Sequence, residues 1–271
     1  MAVILGELFM HNLGALRVEP TAKRIRAIAA GQTVVDSRDA MLVWEPKRVV
    51  PTYAVPERDI DASVRSVGPN DIDGRDFARI PVWDPRVPFG VRLTPGHPVL
   101  LERSGSEFAI NGFIAADPSL DGYVILDFDG FDTWLEEDDP IISHPHSPFS
   151  RIDIRQTSQD VRLSLEGVPI ARTTRARILF ETGLPPRYYF PREDVLVELE
   201  PSDTVTSCAY KGVARYFSPV IPGANTRDLA WSYENPLIDG EPVRDYLCFF
   251  DEKLDLTIDR IERPRPQTPW S

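Results

Sequence analysis

Residues 161–195 read VRLSLEGVPIARTTRARILFETGLPPRYYFPREDV, and residues 25–60 read IRAIAAGQTVVDSRDAMLVWEPKRVVPTYAVPERDI. The two stretches carry the same landmarks in the same order. Gly31 answers Gly167, Ala40 answers Ala176 and Glu45 answers Glu181. After a one-residue slip, Tyr53 answers Tyr188, Pro56 answers Pro191 and Asp59 answers Asp194. A tandem repeat is written into the chain. Residues kept in both copies are candidates for scaffold, and residues kept in one copy are candidates for a site.

Each copy opens with the period of a half-buried strand. Val161, Leu163 and Leu165 alternate with polar residues and run into a turn at Glu166-Gly167, and Ile25 to Val35 repeats this plan around Ala30-Gly31. In Leu184 to Pro191, two prolines followed by aromatics favour extended chain. Extended chain sends Tyr188 and Phe190 to one face and Tyr189 to the other. Copy one has Tyr53 and Val55 on the first face and Ala54 on the second. The Tyr188 face therefore reads as core, and Tyr189 is left free to meet a ligand.

The 271 residues suffice for two domains, and the 26 prolines, about twice the usual share, favour a β-rich fold. A net charge of −12 with no Lys/Arg cluster argues against nucleic acid and against anionic membranes. Cys208 and Cys248 lack CxxC partners, so neither a disulfide framework nor structural zinc is expected. No cofactor is indicated. The apolar start, residues 1–10, is too short to span a bilayer and lacks the basic region of a signal peptide, which leaves the cytoplasm as the default compartment.

The expected organisation is an N-terminal extension (1–21), a divergent first repeat (22–140), a Pro-rich connector (141–159), a second repeat (160–260) and an extended tail (261–271) in which Trp270 is placed to dock. Copy one has a turn at Pro69-Asn-Asp71 and then an insertion, residues 74–87, with no counterpart in copy two. Phe128, Phe131, Trp134 and Leu135 recur at helical spacing and predict a short amphipathic helix. Copy two closes instead with Leu254, Leu256 and Ile258 alternating as a strand.

Several longer motifs, LFETGLPPRYYFPREDV, EPSD, SCAYKG and LAWSYENPL, closely resemble the domain-of-unknown-function family number 427. The resemblance covers copy two from Asp160 to about Asp259. A divergent version covers copy one, with VVPTYAVPERDI and FDTWLEEDDP, in the manner of the two-copy members found in actinobacteria. It implies a mainly β fold: two tandem β-tent-like domains with short helical additions. Some β-tent relatives bind zinc, some hold nucleoside-like rings in an aromatic cage, and some reduce methionine sulfoxide. The zinc cysteines of the metal-binding relatives are absent here. The family is sometimes labelled a nucleotidyltransferase.

Candidate site residues concentrate in copy two. A strand through Thr206, Cys208 and Tyr210 puts these three on one face, with Lys211 at the following turn. An ammonium beside a thiol favours the thiolate, which makes Cys208 and Lys211 the catalytic candidates, against the plainer role of buried filler for the cysteine. Trp231 and Tyr233 share a strand face with Leu229 behind them, as a ring-stacking wall or as sheet core. Their nearest equivalents in copy one are Phe113 and Ala115. Arg187, which is Thr52 in copy one, joins Tyr189 and Lys211 as a candidate polar contact, against a solvated face. Glu181 and Asp194 persist as Glu45 and Asp59 and read as structural. Asp127-Phe-Asp129 and His144-Pro-His146 are weak metal signals, since neither a phosphate-cradling loop nor a full ligand set accompanies them.

These residues support a small-molecule-binding domain with its pocket in the second repeat, an enzyme if Cys208 or Lys211 performs chemistry. A non-enzymatic protein-interaction module is the alternative. The nucleotidyltransferase label finds no support in the residues. The ligand, the reaction and the oligomeric state are not legible.

Overall fold

The structure is a computed structural model and describes residues 2, 4, 7, 11–68 and 77–268. The apolar start, the Pro69-Asn-Asp71 turn, the first residues of the insertion and Trp270 lie outside the described residues, in whole or in part. The chain divides into two units, Met1–Ser147 and Pro148–Ser271. Both are mainly β.

The first unit holds β1 (Arg17–Pro20), β2 (Ile25–Ala29), β3 (Gln32–Ser37), β4 (Met41–Trp44), β5 (Thr52–Pro56), β6 (Ser63–Ser66), β7 (Gly96–Glu102), β8 (Ala109–Ala115), β9 (Tyr123–Leu126), β10 (Thr133–Glu136) and β11 (Asp139–Ile141). They form a seven-stranded sheet ordered β1-β4-β5-β9-β8-β7-β6 and a four-stranded sheet ordered β11-β10-β2-β3. The second unit holds β12 (Ile152–Gln156), β13 (Val161–Leu165), β14 (Val168–Thr173), β15 (Arg177–Glu181), β16 (Arg187–Phe190), β17 (Leu199–Cys208), β18 (Gly212–Pro219), β19 (Ala230–Ser232), β20 (Leu247–Phe249), β21 (Asp255–Ile258) and β22 (Ile261–Arg263). Its sheets run β12-β15-β16-β20-β19-β18-β17 and β14-β13-β21-β22. Strand for strand, this is the topology of the first unit.

The repeat extends to details. Ala30-Gly31 and Glu166-Gly167 are both left-handed at two consecutive residues, the backbone of a tight two-residue hairpin turn. The first hairpin of each unit shifts register at the matching place, between Ala27 and Ile28 and between Leu163 and Ser164. In each unit the core lies between the two sheets. Ile25, Ala27, Tyr53, Val55 and Leu126 pack there in the first unit, and Val161, Leu163, Phe190, Leu247 and Phe249 in the second. Tyr188 packs against that second core, while Tyr189 lies on the opposite sheet face.

Five sequence expectations need correction. Phe128 to Leu135 is not an amphipathic helix but a single 3-10 turn, Phe128–Gly130, followed by β10. The aromatic spacing mimics a helix because Phe128 stacks on Trp134 at 5.2 Å and Phe131 meets it edge-on at 4.7 Å, all around one strand end. Arg17–Pro20, read as N-terminal extension, is the edge strand paired to β4, and Ile152–Gln156, read as connector, is the edge strand paired to β15. The insertion spans more than residues 74–87: β6 and β7 are joined by residues 67–95, where β17 and β18 are joined by 209–211 alone. Finally, β17 ends at Cys208, so Tyr210 belongs to the turn and not to the strand face of Thr206 and Cys208.

Candidate functional site

The sheet register assembles the candidates. Directly opposed residues of antiparallel strands share a face. One row across the second unit's large sheet therefore reads Gln156, Arg177, Tyr189, Cys248, Trp231, Tyr216. The next row places Arg187 beside Leu179 and Ile154. Thr206 and Cys208 stand on the same face, opposite Ala214 and Gly212. The face points away from the core between the sheets. Six of the seven candidates thus belong to one surface, with Tyr210 half-buried at its margin. Leu229 leaves it and packs into the core.

This face is covered. Tyr189, Trp231, Tyr233 and Cys248 form a second apolar cluster with Leu179, Ala214 and Val243. Val243 comes from a 3-10 turn, Ile238–Val243, that lies over the sheet. Lys211 O accepts a hydrogen bond from Leu237 N at 3.1 Å, and a Cβ on Gly240 would sit 3.1 Å from Lys211 Cα. Gly212 has φ +99°, and a side chain there would press on Leu237 N at 3.2 Å. These close approaches seat the Ile238–Val243 turn on the β17–β18 hairpin and bury Lys211. Tyr189 is 1% exposed and Lys211 7%, so this arrangement is a closed interior with Cys208, Tyr210 and Tyr216 at its partly exposed rim.

The charges inside it are paired. Lys211 Nζ donates to Glu181 Oε2. Burial pulls the lysine pKa down, but the facing Cys208 and Glu181 outweigh burial and hold it above its ordinary value. Lys211 is thus kept as an ammonium, suited to stabilising charge and unsuited to attack as a free amine. Arg187 donates to Asp251 and makes a two-pronged contact with Glu252, at 2.9 Å and 2.5 Å. Burial works against its charge, yet the hydrogen bond to Glu252 and the neighbouring acids raise its pKa. The Arg187 guanidinium lies 5.8 Å from the Trp231 ring centre, within cation–π range. It is no solvated residue. Burial also pushes the Tyr189 and Tyr233 hydroxyls and the Cys248 thiol up, so all three stay neutral. Asp251 and Glu252 were missing from the sequence reading. They follow β20, and only the β16–β20 pairing brings them to Arg187.

The matching face of the first unit has different residues. Register equates Ala54 with Tyr189, Ile125 with Cys248, Phe113 with Trp231, Pro98 with Tyr216 and Thr52 with Arg187. Val43, Ala54, Phe113, Ala115, Leu120 and Ile125 make its apolar cluster. Glu45, the counterpart of Glu181, is fully buried. Its Oε2 accepts from Leu93 N, Thr94 N and Thr94 Oγ1 at 2.8–3.1 Å. The same connection, β6–β7 here and β17–β18 there, hydrogen-bonds the same glutamate in both units. Arg92 of the insertion lies 5.8 Å from the Phe113 ring centre and donates to Asp127 Oδ1 at 2.6 Å. A guanidinium therefore reaches the same aromatic position in both units, from different segments.

Elsewhere, His146 is engaged with Glu136, its backbone N–H donating to Oε1 at 3.1 Å. Asp127 serves Arg92. Among the described residues no group of three or more His, Cys, Asp and Glu is placed to hold a metal ion, and no helix is long and apolar enough to cross a membrane.

Two layered β units with one topology, and a site face that differs between them, define a tandem duplication of a single domain type. The chain belongs to the family described as a domain of unknown function (DUF427), whose profile matches residues 17–70 and 153–260, more than half of the chain. The match covers nearly the whole second unit but stops in the first where the insertion begins, although the first unit completes the same set of strands. No curated protein matches the chain.

Proposed function

We propose that the second unit binds a small, neutral, ring-bearing molecule on the outer face of its large sheet. The observation that carries this reading is the difference at matched positions. Tyr189, Trp231, Tyr233 and Tyr216 stand where the first unit has Ala54, Phe113, Ala115 and Pro98. Of these four positions the first unit keeps an aromatic only at Phe113, so the fold does not demand Tyr189, Tyr233 or Tyr216. They offer stacking surface with polar tips, and Cys208 and Tyr210 lie at the margin where a ligand would enter once the Ile238–Val243 turn lifts, with Lys211 buried behind them. Arg187 orients Trp231 and holds the acids. The charges are already paired among themselves, Arg187 with Asp251 and Glu252 and Lys211 with Glu181, which suits a neutral ligand, and three carboxyl groups against two cations disfavour an anionic one. That balance opposes a nucleoside triphosphate, and with it the nucleotidyltransferase reading. Catalysis at this site would fall to Cys208, since Lys211 is held as a charged partner.

Protein-observed NMR on the intact chain tests the proposal. Neutral single-ring and fused-ring fragments are expected to shift the Trp231 indole N–H resonance, and ATP with Mg²⁺ to leave it in place. Failure of every neutral ring fragment to move that resonance, or a shift produced by ATP–Mg²⁺, would overturn it. The interaction-module reading has its own support in Ile238, 89% exposed at the head of the covering turn. It gains if Ile238→Ser abolishes capture of a protein partner while fragment binding is unchanged.

A further inference from the structure

The segment after β22 repeats a motif met earlier in the chain. Residues 144–150 read HPHSPFS, and residues 265–271 read RPQTPWS. Pro145, Ser147 and Pro148 answer Pro266, Thr268 and Pro269. Each stretch follows the last strand of a small sheet, β11 or β22. In the first unit an acid of β10 holds this segment. His146 N donates to Glu136 Oε1 at 3.1 Å, beside the Tyr53 hydroxyl at 2.7 Å on the same oxygen. In the second unit the place of Glu136 is taken by Ile258, whose side chain accepts nothing. The segment turns to Glu252 instead.

Two contacts lay residues 264–268 back along the chain from Asp255 to Glu252. Arg265 Nη2 donates to Asp255 Oδ1 at 2.8 Å, and Thr268 Oγ1 donates to Glu252 Oε1 at 2.5 Å. Thr268 is half-buried and Glu252 is buried. The same oxygen, Oε1, accepts from Arg187 Nη2 at 2.5 Å, while Oε2 accepts from Arg187 Nη1 at 2.9 Å. Burial alone would raise the Glu252 carboxyl, but the hydrogen bonds from Arg187 and Thr268 hold it below its ordinary value. Thr268 thus helps to keep this acid charged for Arg187.

A fork of two N–H groups on two carboxylate oxygens fixes the plane of a guanidinium as well as its distance. The carboxylate itself can still rotate, and a hydroxyl that donates to Oε1 from outside the fork removes that freedom. The Arg187 guanidinium lies 5.8 Å from the Trp231 ring centre, where its pose sets its attraction for the ring. A line of contacts therefore runs from Thr268 through Glu252 and Arg187 to Trp231. In the first unit the two tasks fall to different acids: Glu136 holds the segment and Asp127 holds Arg92. In the second unit one carboxylate serves both.

We infer that residues 264–268 are a strap that sets the pose of Arg187 over Trp231, with Thr268 the positioning residue through which the strap governs ligand binding on the second unit's outer face. The inference rests on the ring-binding reading of that face and adds its control. Whatever draws the segment off Glu252 loosens Arg187 and weakens the site.

The test compares two variants of the full chain: Thr268→Val, which keeps the shape and loses the donor, and Thr268→Ser, which keeps the donor. In ligand-free Thr268→Val the Arg187 Nε–H and Trp231 indole N–H resonances are expected to shift, and Thr268→Ser to leave both close to those of the unmodified protein. Neutral ring fragments are expected to bind Thr268→Val about threefold or more weakly, a part of what one hydrogen bond to a charged group is worth, while the second unit still melts cooperatively. Unmoved Arg187 and Trp231 resonances in Thr268→Val overturn the inference. So does unchanged fragment affinity, or a Thr268→Ser variant that behaves as Thr268→Val does. If no fragment binds the unmodified chain, the ring-binding reading fails by itself, and the two resonances of the ligand-free protein still decide whether the strap sets Arg187. Should Thr268→Val fail to fold, Arg265→Ala, which frees the segment from Asp255, is read through the same two resonances.

Discussion

The two units share every strand and pairing of their sheets yet spend the outer face of the large sheet differently. In the first unit that face is mostly small and aliphatic around the single ring of Phe113, and an insertion brings Arg92 and Thr94 to Glu45. In the second it is aromatic, and a three-residue turn brings Lys211 to Glu181. The glutamate and the aromatic position at 113 and 231 belong to the scaffold, and so does the presence of a guanidinium against that ring. What surrounds them is free to vary. Duplication has therefore separated what this fold needs from what it can carry.

The largest asymmetry to expect is at the two guanidinium groups. Arg187→Met strands Asp251 and Glu252 in a buried setting and should cost the second unit about 3–5 kcal/mol, the usual penalty for breaking a buried pair. Arg92→Met breaks one hydrogen-bonded pair, with Asp127, and one looser contact, with Glu45 at 3.9 Å, so it should cost the first unit less. Chemical denaturation followed through resonances of each unit would show it. Equal losses would mean that the two arrangements are energetically alike despite their different wiring.

A smaller effect is pH-dependent and confined to one copy. Burial alone would raise the Glu136 carboxyl. Hydrogen bonds from His146, Lys23 and Tyr53 outweigh burial and lower it from 4.5 to about 2. A carboxyl lowered on folding contributes stability in full above its unfolded value, and that contribution is lost as pH falls from about 4.5 through about 2. Glu136→Gln should remove this slope from the first unit's urea midpoint. The matching position in the second unit is Ile258, paired to Val161 as Glu136 is to Ile25, and it titrates nothing. An unchanged slope in the variant would place the acid sensitivity elsewhere.

The smallest effect should be equal in both units. Gly31 and Gly167 have φ of +72° and +83°, with nothing within 4 Å of an added Cβ. Alanine at either is opposed by backbone conformation alone, at about 1 kcal/mol. A clear difference between Gly31→Ala and Gly167→Ala would break the equivalence of the two hairpins.

Much of this scaffold is legible in the residues. Turn glycines, the period of two, and the alternation of Tyr188 with Tyr189 depend on neighbours in sequence, and the structure places them accordingly. Register also equates Phe113 with Trp231 and Thr52 with Arg187, as the alignment of the copies does. What escapes is set by pairing between distant strands. Asp251 and Glu252 reach Arg187 only because β20 lies beside β16. Arg92 comes from a segment with no counterpart to align, and nothing near it in sequence announces Glu45 or Asp127 as neighbours. The helix expected at Phe128 fails because aromatic spacing alone does not separate a helix face from rings gathered around one strand end.

The most direct measurement rebuilds the second unit's face with residues of the first. Tyr189→Ala together with Cys248→Ile reproduces the Ala54–Ile125 pair at a matched position. If the aromatic face serves a ligand and not the fold, the double variant keeps its β circular dichroism and a cooperative melt, and neutral ring fragments no longer move the Trp231 indole resonance. A folded double variant that binds those fragments as the unmodified chain does, or a second unit that no longer folds, would contradict the account.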